Sequence, residues 1–307
     1  MTRLEAALAD YLSLRRSLGH KLDQAGRQLT RFVTYLDFTG AETITMPAVL
    51  EFVLDPDLDP ASTIPARRLT AVRGFARYLA GQDGSSVIPP AGLVASRARH
   101  RIPHIFSDAD VAAVIASARA SIPAPFRQET VATLIGLLAA TGMRVGEALR
   151  LGRNDVDWDA AVIQVRGTKF GKGRDVPVSD STITALAGYA SQRDQRRPAA
   201  ARLLVSLAGT PVAYSHFSAT FRDAVTAAGI GTGTAIRPRI HDLRHSFAVR
   251  TLLGWYRAGA DAEALLPRLS TYLGHREPRF TYRYLTATPE LLSLAAARLE
   301  AAQAVAR

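Results

Sequence analysis

Between Gly81 and Pro103 the chain gives up every pattern of regular structure. Gly-Gln-Asp-Gly-Ser-Ser is followed by Pro89-Pro90 and then by Arg97, Arg99, His100 and Arg101. Proline removes a backbone donor and holds the preceding residue extended, so no helix runs through this stretch. It reads as a basic linker over residues 85–104, with one domain at 1–84 and another at 105–307. A length of 307 residues fits that division, because single cores stop growing at roughly 250–300 residues.

The first domain reads as helices only. Leu4, Leu8, Tyr11, Leu12, Leu14 and Leu18 recur at helical spacing, and Leu29, Phe32, Val33 and Leu36 do so again. Thr45-Met46-Pro47 is a helix start, with Thr45 as the cap and Pro47 in the first turn. Leu69, Val72, Phe75, Ala76 and Leu79 give a fourth helix one apolar face within 61–80.

In the second domain Ser107 caps a helix running to Ala120, and an apolar helix over 128–140 ends at Thr141-Gly142. A new helix starts in Met143–Leu149. Val162–Val165 and Asp175–Val178 read as strands joined by a hairpin through Gly167-Thr168-Lys169-Phe170-Gly171-Lys172-Gly173. Helices return over 180–193, 215–228, 241–253, 262–273 and 290–304. The expected class is mainly α, with a small antiparallel sheet in the second domain.

Net charge is +11 and uneven: 12 basic against 10 acidic side chains in residues 1–100, and 26 against 17 in residues 101–307. A basic C-terminal two-thirds suits a polyanion, nucleic acid first, although a solvated surface in an Arg-rich chain gives the same count. Lysine occurs only at 21, 169 and 172, so two of three lysines fall in one hairpin. With no Cys there is no disulfide, no thiol nucleophile and no soft metal-ligand set. No run of 18 apolar residues exists and Met1–Glu5 lacks a signal-peptide core, so no membrane partner is expected and a cytoplasmic location is.

Side chains suited to an oxyanion gather between His241 and Tyr284. His241 and Arg244 lie three apart on one helix face, with His245 beside them; Leu273-Gly274-His275 and Thr281-Tyr282-Arg283-Tyr284 follow. Arg144 stands just past an apolar helix and either pairs with Glu147 or points into a cleft. His275 reads equally as a helix-end partner, and Tyr284 alone as core. An ammonium can release its proton where a guanidinium cannot, so Lys169 or Lys172 suits a general acid.

Taken in order, Thr-Gly-Met-Arg-Val-Gly-Glu-Ala-Leu (141–149), the Lys-bearing hairpin, His-Asp-Leu-Arg-His-Ser-Phe-Ala (241–248), Leu-Gly-His (273–275) and a Tyr nine residues later resemble the tyrosine recombinases, the phage-integrase family. The resemblance covers the whole chain, and the ending Tyr284–Leu292 is most similar to the transposon-associated branch. It implies a helical, SAM-like core-binding domain followed by an α+β catalytic domain. It implies Arg144, Lys169, His241, Arg244, His275 and Tyr284 as catalytic residues, with Glu147 and His245 supporting. Register from Val176-Pro177 favours Lys169; alignment on Gly171-Lys172-Gly173 would favour Lys172.

Such an enzyme cleaves and rejoins duplex DNA through a 3′-phosphotyrosyl bond, with no metal, cofactor or ATP. Its partners would be double-stranded DNA and three further copies of itself or related recombinases, bound at the bacterial nucleoid. The tail helix after Tyr284 would dock on a neighbouring subunit or pack on its own domain. A type IB topoisomerase-like enzyme and a non-cleaving DNA-binding accessory protein are the alternatives.

Overall fold

A computed structural model of the chain describes residues 2–58, 62–84, 86–94, 102–166, 173–233, 237–275, 277–285 and 288–305. It divides into two compact units, Met1–His100 and Arg101–Arg307.

The first unit holds α1 (Arg3–Ser17), α2 (Asp23–Phe38), α3 (Met46–Val53) and α4 (Ile64–Asp83). Thr2 and Glu5 close a capping box on α1, and Thr45 caps α3 with Pro47 in its first turn. Leu8, Leu29, Phe32, Leu36, Val49, Val72, Phe75 and Leu79 form the core. The stripe on α1 is shorter than its spacing suggests. Leu14 and Leu18 are 48% and 64% exposed, because α1 ends at Ser17 beyond the reach of the core. Nor are residues 86–94 a free tether: Val87 N–H donates to the Ile44 carbonyl (2.8 Å) and Arg73 Nε to that of Pro89 (2.6 Å). Polar partners, which composition does not show, hold this part of the expected linker.

The second unit runs α5 (Asp108–Ser121), α6 (Pro125–Thr141), α7 (Val145–Ala148), β1 (Val156–Asp157), β2 (Val162–Val165), β3 (Arg174–Pro177), α8 (Asp180–Arg196), α9 (Tyr214–Ala227), α10 (Ile240–Arg257), α11 (Ala262–Leu273), α12 (Arg279–Tyr282) and α13 (Pro289–Val305). The three strands form one antiparallel sheet in the order β1-β2-β3, with Val162 opposite Pro177 and Val165 opposite Arg174. β1, at two residues, is too short to show an alternation in sequence. Between β2 and β3, residues 167–172 lie outside the described part, and with them Lys169 and Lys172.

α6 is apolar on nearly every side and runs through the core beside α5, α8 and α10. It stops at Gly142, whose φ of +60° is left-handed. A Cβ there would also lie 2.6 Å from Phe247 Cδ1, so the site tolerates glycine alone. α13 packs on α10 of its own unit: Leu291 is buried, and Arg298 donates to the Ala260 and Tyr256 carbonyls. Among the described residues no helix is long and apolar enough to cross a membrane.

Candidate active site

α10 is fixed at its start by Asp242, which is fully buried and accepts from the Arg239 N–H (2.9 Å). Ser246 Oγ donates to the Asp242 carbonyl and accepts from the Phe106 N–H, so the helix is also tied to the segment leading into α5. The helical repeat then sets His241, Arg244 and His245 at one end of α10. The two imidazole rings meet edge to face at 4.8 Å. His241 opens to solvent and His245 is buried.

Arg244 is 2% exposed, and backbone oxygens bind its guanidinium. Nη1 donates to the Gly142 carbonyl (2.9 Å) and Nη2 to the Leu273 carbonyl (2.7 Å). Arg144 Nη2 donates to the next carbonyl, that of Gly274 (3.0 Å). The last carbonyls of a helix have no partner within it. Here the end of α11 uses them to hold two arginines from different parts of the chain. Arg144 stays half-exposed, with donors free to meet an anion.

Glu147 lies behind Arg144 and is buried. Its Oε1 accepts from Arg144 Nη1 (2.8 Å) and its Oε2 from the Arg144 N–H (3.0 Å). It also takes both ends of the Arg174 fork, at 3.2 and 2.8 Å. Burial alone would raise this carboxyl; Arg174 and then Arg144 overcome that and lower it to about 2. Arg174 Nε donates in turn to the Tyr272 carbonyl (2.7 Å).

Gly274 turns the chain with φ +68°, and His275 follows. His275 Nδ1 is hydrogen-bonded to Thr281 Oγ1 at 2.7 Å, leaving Nε2 as the other polar atom of the ring. Tyr284, just past α12, is 1% exposed. Its ring lies 6.0 Å from that of His275 and 5.4 Å from that of His245. Its hydroxyl and His245 Nδ1 are both buried without a protein partner. The Arg283 guanidinium sits 5.3 Å from the centre of the tyrosine ring.

Loss of solvent is the first cause at all three imidazoles, followed by neighbouring arginines at His241 and His275 and by His241 and then arginines at His245; His241 is lowered to about 4, His245 to about 3 and His275 to about 3. At His241 the repelling guanidiniums are those of Arg244, Arg283, Arg239 and Arg144. Burial, then the charge of Arg144, brings Arg244 down to about 10, still a cation at neutral pH. Neutral imidazoles can accept a proton or hydrogen-bond an oxygen; the two guanidiniums supply the charge. Among the described residues no group of three or more His, Cys, Asp or Glu side chains is placed to hold a metal.

Arg144, Glu147, Arg244, His245, His275 and Tyr284 thus come together, His241 borders them, and Lys169 lies outside the described residues. Arg174, Thr281 and Arg283 belong to the same cluster; the sequence reading passes over Arg174 and gives Thr281 and Arg283 no role of their own. Strand alternation held the signal for Arg174, since it shares the inward face of Val176.

Residues 108–290, more than half of the chain, match the phage integrase family. The chain belongs to that family. It is a tyrosine-type site-specific recombinase, acting on DNA. The tyrosine recombinase XerD of Bradyrhizobium diazoefficiens is 31% identical to this recombinase over 94% of this chain and 93% of its own. The integrase/recombinase y4rB of Sinorhizobium fredii is 39% identical over 98% of both. Among solved structures, the XerH recombinase bound to a palindromic difH substrate superposes with a TM-score of 0.66 at 19% identity, over 91% of this chain and 80% of that one. The Tn1549 transposon integrase with transposon right-end DNA does so at 0.65 and 16%, over 98% and 99%. At such identities these structures speak for the fold: mainly helical, with a small antiparallel sheet.

Proposed function

We propose that this recombinase cleaves one DNA strand by attack of Tyr284 Oη on a backbone phosphorus, forming a 3′-phosphotyrosyl bond and releasing a 5′-hydroxyl. The observation that carries this reading is the contact of the Tyr284 ring with His245 and His275, at the helix end whose carbonyls hold Arg144 and Arg244.

Arg144 and Arg244 neutralise the non-bridging oxygens, whose charge grows in the transition state, and His275 Nε2 donates a further hydrogen bond. The phenol proton passes to His241 through the imidazole pair, His245 touching both rings. Lys169 protonates the departing 5′-oxygen. The new ester conserves the bond energy, so the 5′-hydroxyl of a second strand reverses the step and Tyr284 is freed. The helical first unit acts as the core-binding domain, gripping duplex phosphates.

The working assembly is a tetramer on DNA, as the λ integrase tetramer on a Holliday junction suggests. The biological setting is a mobile element, for which the fold of the Tn1549 transposon integrase is the support. A type IB topoisomerase-like reaction would use the same site without strand exchange, and an accessory protein would bind without cutting.

The test is a denaturant-resistant adduct with a pool of random-sequence duplexes carrying one nick, followed by sequencing of the captured DNA. Wild type and Tyr282→Phe should form it and Tyr284→Phe should not. Adduct lost with Tyr282→Phe but kept with Tyr284→Phe moves the nucleophile; none in wild type leaves the accessory reading. Strand exchange between two captured duplexes separates recombinase from topoisomerase.

A further inference from the structure

Arg174 is the most heavily committed side chain around the site, yet its guanidinium offers little to a substrate. It is 10% exposed, and its planar fork takes both oxygens of Glu147 while Nε reaches the Tyr272 carbonyl. Three separate pieces of chain meet there. Arg174 opens β3, on the arm of the hairpin that returns from the lysines. Glu147 sits in the one-turn α7 and holds both the backbone and the guanidinium of Arg144. Tyr272 stands near the end of α11, two residues before the carbonyl that binds Arg144 Nη2.

Gly274 records how tightly this is built. A Cβ there would lie 2.7 Å from Arg174 Nη1, so the turn that delivers His275 closes directly over the guanidinium. No lysine could replace the fork, since an ammonium is a point charge that cannot span two carboxylate oxygens and a carbonyl in one plane.

We infer that Arg174 is a positioning residue of the recombination site: it fixes Glu147, and through Glu147 and the end of α11 it sets Arg144 and the hairpin in mutual register. This rests on the phosphotyrosyl reading above. Without the fork, Glu147 is left buried with only Arg144 paired to it and Arg244 nearby, and its proton affinity rises. When it takes up a proton, the Arg144 guanidinium loses the carboxylate that aims it. A misplacement of about 1 Å costs about 100-fold in rate.

The experiment measures adduct formation with the nicked random duplex pool for wild type, Arg174→Met and Arg174→Lys, beside filter binding of the same pool and thermal melting. For Arg174→Met the cleavage rate should fall about 100-fold at pH 7.5 while DNA affinity is kept. A further fall should appear as the pH drops from about 7 to 5, where the wild-type rate is level. Arg174→Lys retains a charge beside Glu147, so it should lose rate without acquiring that acid limb, and it carries the test if the methionine variant does not fold. Wild-type rates in the lysine variant overturn the proposal. So does a loss that only follows melting and is equal at every pH. No adduct with wild type overturns the underlying reading instead, which keeps the two failures distinct.

Discussion

The Tyr284 ring lies 6.0 Å from that of His275 at an interplanar angle of 25°, and its hydroxyl is buried with no protein partner. A side chain kept only for packing would serve as well or better as phenylalanine, because a buried hydroxyl without a partner is a cost to folding.

Tyr284→Phe should therefore be about as stable as wild type or up to about 1 kcal/mol more stable, while forming no covalent adduct with nicked duplex DNA. Melting curves and denaturing gels read the two effects. A strongly destabilised variant would mean that the hydroxyl has a partner.

Glu147 governs stability in acid. Its folded value of about 2 lies below the 4.5 of an ordinary glutamate carboxyl, so the unfolded chain binds the proton more readily. Its contribution is complete above pH 4.5 and disappears as pH falls through about 2. The shift corresponds to about 3 kcal/mol. Glu147→Gln should flatten the melting temperature across that window, and Glu147→Ala should cost about 3–5 kcal/mol near neutrality, because Arg174 is left buried and unpaired.

The imidazoles act at higher pH. His245 is held down to about 3 against 6.5 unperturbed, so below pH 6.5 the unfolded chain takes up a proton that the folded one refuses. Stability from this group is full above pH 6.5 and drains away toward pH 3. His245→Phe should reduce the fall in melting temperature between pH 6.5 and 5. If the slope is unchanged, His245 is not the group titrating.

Cleavage should follow the His241 value of about 4. A neutral acceptor is present across the physiological range, so the adduct-forming rate should be level from pH 8 to about 5 and fall off through pH 4. A midpoint near 6.5 would mean that the guanidinium cluster does not depress this imidazole.

Lys169→Ala should slow cleavage of ordinary DNA and largely spare a duplex with a 5′-bridging sulfur, whose leaving group needs no proton. Lys172→Ala giving that pattern would move the general acid by three positions.

Much of this was legible in the residues alone. Apolar periodicity, caps such as Thr45 and Ser107, and the left-handed Gly142 and Gly274 set most helices within a few residues, since these signals are local. Residue type and order marked Arg144, Glu147, Arg244, His245, His275 and Tyr284. What the sequence could not supply was contact between distant parts. Arg174 stands one residue before the expected strand and draws no notice until Glu147 and the Tyr272 carbonyl are brought against it. Residues 86–94 read as tether until Arg73 and Ile44 bind them. Local chemistry thus determined the helices and the candidate side chains. Tertiary structure decided which guanidinium holds which carbonyl, because a hydrogen bond between residues 130 positions apart exists only once the fold has paid the entropy of bringing them together.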